Sequence, residues 1–241
     1  MNRFIILVSQ YNAVEYIDKC LNSILSQDYR NFEVIVTDDC STDGTWEKLQ
    51  QYPVHIIRHA TRQKCGVVNA MEGIEFMPLS DNDIIVFVSG DDYLADDHVL
   101  SHLDQAYSKD IWLTYGQFVP LSGNYGPYCK PIPDTRTYRK HPDWLTSHLI
   151  TFRKWLWDRI DPEDLKYQGD FTRYAFDAAF LYPMIEMAGE KHIKFIDRVL
   201  YIYNDLNPTC LFRLDPKGSI EASKYFKNKP SYTQIDGKRT F

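Results

Sequence analysis

The chain has 241 residues, 44% hydrophobic and 25% charged, with 27 basic against 33 acidic side chains and a net charge of -6. Those proportions belong to a globular protein with a substantial core, in one large domain or two small ones, and the acidic balance suits a metal better than a nucleic-acid backbone. No apolar run nears the ~20 residues that span a bilayer. Met1-Asn2-Arg3 leads straight into a short strand, so a cytoplasmic protein is expected, with peripheral membrane contact at most. Five scattered cysteines without a C-x-x-C pair read as reduced and structural.

Phe4 to Val8 is an apolar strand ended by Ser9-Gln10-Tyr11-Asn12. Asn12 can cap the next helix, with Glu15 in the capping-box position and Val14, Ile17, Leu21, Ile24 and Leu25 at helical spacing. Phe32 to Thr37 is a second strand, closed by Asp38-Asp39 and followed by a short helix at Trp46 and Leu49. Val54 to Arg58 is a third, followed by a polar loop with Arg62 and Lys64 and a helix from Val67 to Phe76. Ile84 to Val88 has the composition of a strand buried on both faces, and Asp91-Asp92 follow it. Adjacent carboxylates repel, so this strand end needs a cation or a set of hydrogen-bond donors, unless the pair merely turns the chain.

Strands alternating with helices predict an α/β fold, Rossmann-like, with a mainly parallel sheet flanked by helices. Ligands of such sheets bind outside the carboxyl ends of the strands. Ser9 to Asn12, Asp38 with Asp39, Arg62 with Lys64, and Asp91 with Asp92 each follow a different strand, so they should line one edge. A nucleotide would find acceptors for base or ribose hydrogens there, cationic donors, and a metal for its diphosphate. The chain has neither G-x-G-x-x-G after its first strand nor G-x-x-x-x-G-K-[ST], which argues against a dinucleotide redox enzyme and a P-loop NTPase.

Past Asp92 a helix capped near Asp96 precedes a strand around Ile111 to Phe118. Val119 to Asp143 is rich in Pro, Gly and Tyr, Tyr125 and Tyr128 among them, and reads as an irregular loop long enough to suspect function. Leu145 to Ile160 is apolar and aromatic. Phe171 to Ala188 is helical in period, with Pro183 expected to kink it or start a new turn and Gly189 to end it. Ile193 to Ile196 and Val199 to Tyr203 read as two short strands, and the tail from Asp215 is polar. His98 and His102 stand at i, i+4 but lack the third ligand a zinc site requires.

Three blocks, Ser9-Gln10-Tyr11-Asn12, Val34-Ile35-Val36-Thr37-Asp38-Asp39-Cys40-Ser41-Thr42-Asp43-Gly44-Thr45 and Val86-Phe87-Val88-Ser89-Gly90-Asp91-Asp92, resemble glycosyltransferase family 2 in order and spacing. Phe176-Asp177 and the stretch Ile193 to Tyr203 extend the resemblance, which covers roughly residues 3 to 205. It implies a GT-A fold, a nucleotide-diphosphate sugar donor, Mn²⁺ or Mg²⁺, and transfer to a glycan or other hydroxyl acceptor with inversion. It further implies that Asp38 and Asp39 hold the nucleoside, that Asp91 and Asp92 belong to the family's D-x-D-D metal pattern, and that Asp177 is the catalytic base. Ser89 stands where the family commonly has an aspartate, which moves the metal to Asp92 with Asp91 turned toward ribose or sugar. After the last strand Asn204-Asp205-Leu206-Asn207 offers no histidine, where family members often carry one.

The expected organisation is a single domain spanning 1–241, with a nucleotide-sugar half to about residue 110, an acceptor half over 111–205 and an extension over 206–241. Asp177 also fits a helix N-terminal carboxylate favoured by the dipole, and Asp170 or Glu186 would be the alternative bases. A non-catalytic sugar-nucleotide or glycan-binding module on the same fold, and a nucleotidyltransferase, remain the rival readings.

Overall fold

A computed structural model describes residues 1–107, 110–123, 126 and 128–236, with only the backbone of Phe212; Tyr125 lies outside the described residues. In chain order the strands and helices are β1 (Phe4–Gln10), α1 (Ile17–Leu25), β2 (Phe32–Asp38), α2 (Thr45–Leu49), β3 (His55–Arg58), α3 (Gly66–Glu75), β4 (Ile84–Ser89), β5 (Tyr93–Leu94) and α4 (Val99–Ala106). The later elements are β6 (Leu113–Pro120), β7 (Thr151–Arg153), α5 (Lys154–Trp157), β8 (Lys166–Tyr167), β9 (Asp170–Phe171), α6 (Phe176–Ala188), β10 (Ile193–Tyr203), α7 (Leu211–Leu214) and α8 (Pro216–Lys227).

Eight strands form one mixed sheet in the order β3-β2-β1-β4-β7-β6-β10-β5, and β8 and β9 make a separate hairpin. The pairs β2–β3, β1–β2, β1–β4 and β6–β10 are parallel, and β7 runs antiparallel between β4 and β6. β1 is apolar on both faces because both are covered. Phe4, Ile6 and Val8 pack with α1, α2 and α4, while Ile5 and Leu7 pack on the other side with α3, α5 and α6. The two-residue period of a strand thus sorts one continuous apolar run into two helix layers.

Three expectations change. α1 starts at Ile17 without a side-chain cap, because Asn12, at φ 47°, instead accepts a hydrogen bond from Thr42 N at 2.9 Å and pins the loop after β2. Residues 193–203 form one strand in place of two, whose register shifts between Ile196 and Val199 mark a bulge where a break was expected. α6 runs on through Pro183, and all residues from Ala178 to Ala188 are buried, so packing outweighs the one backbone bond that proline removes.

Candidate active site

Parallel register sets the framework of the site. Ser9 lies opposite both Thr37 and Ser89, Gln10 opposite Asp38, and Asp38 opposite Arg58, so the chain segments leaving β1, β2, β3 and β4 emerge on one sheet edge. Backbone bonds join them there, from Gly90 N to Ser9 O at 2.9 Å and from Asp39 N to Gln10 O at 3.0 Å. Gly90 is required by this close approach, since a Cβ there would lie 2.4 Å from Gln10 Cβ.

Beyond this edge opens a polar cleft of about 560 Å³, lined by Ser9, Tyr11, Asp39, Arg62, Lys64, Asp91 and Asp92 among others. Asn12 and Asp38 are not part of its lining. Asp38 is fully buried, accepting from Gln10 Nε2 and from Ser41 N, with Arg58 Nε 3.6 Å from its other oxygen. It therefore shapes the loop and does not face the cleft, unlike Asp39. The Asp39 carboxylate accepts from Gln63 N at 2.6 Å, Lys64 N at 2.8 Å and His59 Nδ1 at 2.9 Å, a cradle that aims it along the cleft wall. The Arg62 guanidinium lies 3.3 Å from the centre of the Tyr11 ring, close enough for a cation–π contact.

The two carboxylates after β4 have unequal surroundings. Asp92 is 1% exposed and both its oxygens are engaged, Oδ2 by Tyr201 OH and Oδ1 by Asn204 N, each at 2.7 Å. Burial, reinforced by the neighbouring Asp91 charge, pushes its pKa up to about 7. Asp91 accepts from Asn207 Nδ2 at 2.6 Å, and burial raises its carboxyl above the usual range. Both carboxylates line the cleft, Asp92 with both oxygens engaged by hydrogen-bond donors and Asp91 with Oδ2 held by Asn207. Two crowded carboxylates with no basic side chain paired to either among the described residues suit a hard cation. Among the described residues no three His, Cys, Asp or Glu groups converge on one point. Asp91 and Asp92 nonetheless offer carboxylate oxygens of the kind that Mn²⁺ or Mg²⁺ takes.

A second, narrower cavity of about 180 Å³ shares Ser9, Gly66, Asn69 and Ser89 with the cleft. Its walls are largely apolar, from Leu7, Phe87, Val88, Ile150, Phe176 and Phe180, and Asp177, His148 and Tyr201 also line it. Ala175 adopts a left-handed backbone at φ 48° just before α6, and Asp177 follows in the first turn. Asp177 Oδ1 accepts from Ala178 N at 2.9 Å, and burial raises its carboxyl above the usual carboxylate range. The alternative carboxylates are placed otherwise. Glu186 is locked in a buried pair with Arg139, and Asp170 is exposed on the β8–β9 hairpin. His98 is exposed and bonded to Asp28 at 2.6 Å.

Several cleft groups carry no sequence signal that would single them out. Arg173, Asn207 and Thr209 line the cleft from the far half of the chain, and Tyr201 reaches Asp92 across 109 positions. The segment after β10, expected as an extension, therefore forms a wall of the cleft.

A family model described as glycosyl transferase family 2 matches residues 5–161. The chain is 31% identical over 141 residues to glycosyltransferase GlyA of Streptococcus pneumoniae, a match spanning 58% of this chain and 20% of that one. It is 32% identical over 102 residues to the poly(ribitol-phosphate) β-N-acetylglucosaminyltransferase TarS of Staphylococcus aureus, spanning 39% and 17% respectively. The chain thus covers a fifth or less of the length of these curated relatives. Residues 1–349 of TarS, solved in complex with UDP-GlcNAc, superpose with a TM-score of 0.62 at 20% identity, over 84% of this chain and 58% of that one. The mannosyltransferase PcManGT of Pyrobaculum calidifontis, solved with GDP-Man and Mn²⁺, also gives 0.62, at 17% identity over 95% and 66%. These structural likenesses establish a GT-A fold.

Proposed function

The chain belongs to glycosyl transferase family 2, and on that premise we propose that it moves a sugar from a nucleotide-diphosphate sugar to an acceptor hydroxyl, with a divalent cation and with inversion. The observation that carries this reading is the shared wall at Ser9, Gly66, Asn69 and Ser89, which joins a polar cleft containing Asp91 to an apolar cavity containing Asp177. A leaving diphosphate and an attacking hydroxyl need such different surroundings on the two sides of one reacting carbon.

In this assignment Asp39 accepts hydrogens from base or ribose, and Asp38 acts only through the loop it holds. Ser9 and Tyr11 line the donor cleft, Arg62, Lys64 and Arg173 face the diphosphate, and Asn12 braces the loop beside it. Asp91 would hold Mn²⁺ or Mg²⁺ with the donor's phosphates, and Asp92, fixed by Tyr201 and Asn204, sets the position of Asp91 and adds negative charge behind it. The ion would act as a Lewis acid, offsetting the charge that develops on the diphosphate. Asp177 takes the proton of the acceptor hydroxyl as its oxygen attacks the anomeric carbon from the side opposite the diphosphate, and one such displacement inverts the centre. The donor half then runs to about residue 110 and the acceptor half from 111, with residues 207–214 closing the donor side.

UDP-linked and GDP-linked sugars are the first donors to test, because TarS and PcManGT were solved with one of each. A panel of nucleotide sugars incubated with Mn²⁺ and assayed for nucleoside diphosphate should show its release, by transfer to an added glycan or slowly to water. Pyrophosphate in its place would indicate nucleotidyl transfer, and donor binding without either product would indicate a binding module.

A further inference from the structure

His59 follows β3, is 8% exposed, and stands between two carboxylates. Its Nδ1 lies 2.9 Å from Asp39 Oδ1, and its Nε2 lies 2.5 Å from Glu72 Oε2 on α3. Carboxylates accept and do not donate, so a neutral imidazole, which has one N–H, can serve only one of these partners. The geometry asks for both nitrogens to carry protons. Burial opposes that charge, but the hydrogen bonds the ring donates to Asp39 and Glu72 outweigh it and raise the imidazole above its ordinary pKa. Arg58, which leads into His59 and pairs with Asp38, and Arg62 and Lys64 on the loop beyond are the charged residues next to it in the chain. Asp39 is the cleft carboxylate assigned above to the nucleoside, whereas Glu72 is absent from the lining of the cleft.

We propose that Glu72 and His59 form a positioning relay that holds Asp39 in its nucleoside-binding orientation, making donor affinity depend on the protonation of His59; this rests on the nucleoside reading of Asp39. With the imidazolium in place, His59 and the amides of Gln63 and Lys64 fix the Asp39 carboxylate from three sides, leaving its remaining acceptor capacity for the ligand. A neutral His59 has one N–H to share between Asp39 and Glu72, so Asp39 loses its imidazole donor whenever that N–H faces Glu72. A carboxylate freed from His59 gains torsional freedom that binding must then restrict. Raising pH through the elevated pKa of His59 therefore weakens nucleotide binding, and lowering it restores binding. Glu72 sets where that transition falls, because it stabilises the charged ring without touching the ligand.

The test is calorimetry of UDP and GDP from about pH 6 to about pH 9, together with an NMR titration of the His59 ring. Wild-type affinity should fall several-fold as the ring deprotonates. In Glu72→Gln, a change at a half-exposed surface position, the low-pH affinity should be retained while both the ring titration and the fall in affinity move to lower pH. His59→Gln should bind weakly at every pH. Identical pH profiles for wild type and Glu72→Gln, or wild-type affinity in His59→Gln, would overturn the relay. Wild-type affinity in Asp39→Asn would bring down the nucleoside reading and the proposal together, and the ring titration would then show a His59–Glu72 bridge with no link to binding.

Discussion

Asp177 lines an apolar cavity, and burial raises its carboxyl. A general base works only when ionised, so turnover should fall as pH drops through that raised value, above the ~4 of an ordinary carboxylate. An acid limb of kcat at the ordinary value would argue against this role. Asp177→Asn cannot take the proton and should lose about 10² to 10⁴ in rate, with donor affinity unchanged by calorimetry because the residue lies outside the donor cleft. Proton NMR of the product should show the inverted anomer, and retention would exclude Asp177 from this part. At Gly90 the constraint is steric. Gly90→Ala places a methyl 2.4 Å from Gln10 Cβ, so the strand ends must part and Asp91 must move. Nucleotide binding should be lost even if the variant folds, and binding at wild-type strength would show that the edge gives way freely. The unequal fates of adjacent aspartates were not legible in the sequence. Asp38–Asp39 and Asp91–Asp92 look alike in composition, and only distant partners, His59, Tyr201, Asn204 and Asn207, give the members of each pair their different hydrogen bonds.

Among the elements, β10 and α6 tie the site to the second half of the chain. Tyr201 on β10 donates to Asp92 and accepts from Ser89 N at 3.1 Å, so Tyr201→Phe leaves both groups without that partner. Each unsatisfied buried group costs about 1–3 kcal/mol, and urea unfolding should show a loss of that order together with weaker cation-dependent nucleotide binding. A variant of unchanged stability would mean that other partners take over. On α6, Glu186 receives Arg139 Nε at 2.5 Å and Nη2 at 3.0 Å, and Tyr232 N at 2.9 Å, while Arg139 also reaches Phe226 O on α8. Both side chains are over 90% buried. Glu186→Gln strands the guanidinium, and removing one partner of such a pair costs about 3–5 kcal/mol; a urea midpoint equal to wild type would refute this latch. Strands with an unbroken apolar run, β1 and β4, were legible because burial on both faces leaves a short run rich in β-branched residues and ended by polar ones. The antiparallel insertion of β7 and the bulge in β10 were not, since three residues carry no period and a bulge is set by the strand beside it.

At the scale of the whole molecule, alternating strands and helices imply a common edge, and the register delivers Ser9, Asp39, Arg62, Lys64, Asp91 and Asp92 to one cleft. What chain order could not convey is closure of that cleft from its far side by Arg173, Asn207 and Thr209, residues more than 80 positions away from Asp91. The site is thus a product of the complete fold, and its central claim is a nucleoside diphosphate held through a cation on Asp91. Calorimetric titration of UDP and GDP into the protein, with and without Mn²⁺ and in wild type and Asp91→Asn, tests that claim most directly. The account predicts that Mn²⁺ strengthens binding of at least one nucleotide about tenfold or more, a gain of about 1.4 kcal/mol, and that Asp91→Asn abolishes the gain. Binding of neither nucleotide, or an undiminished Mn²⁺ effect in Asp91→Asn, would contradict it.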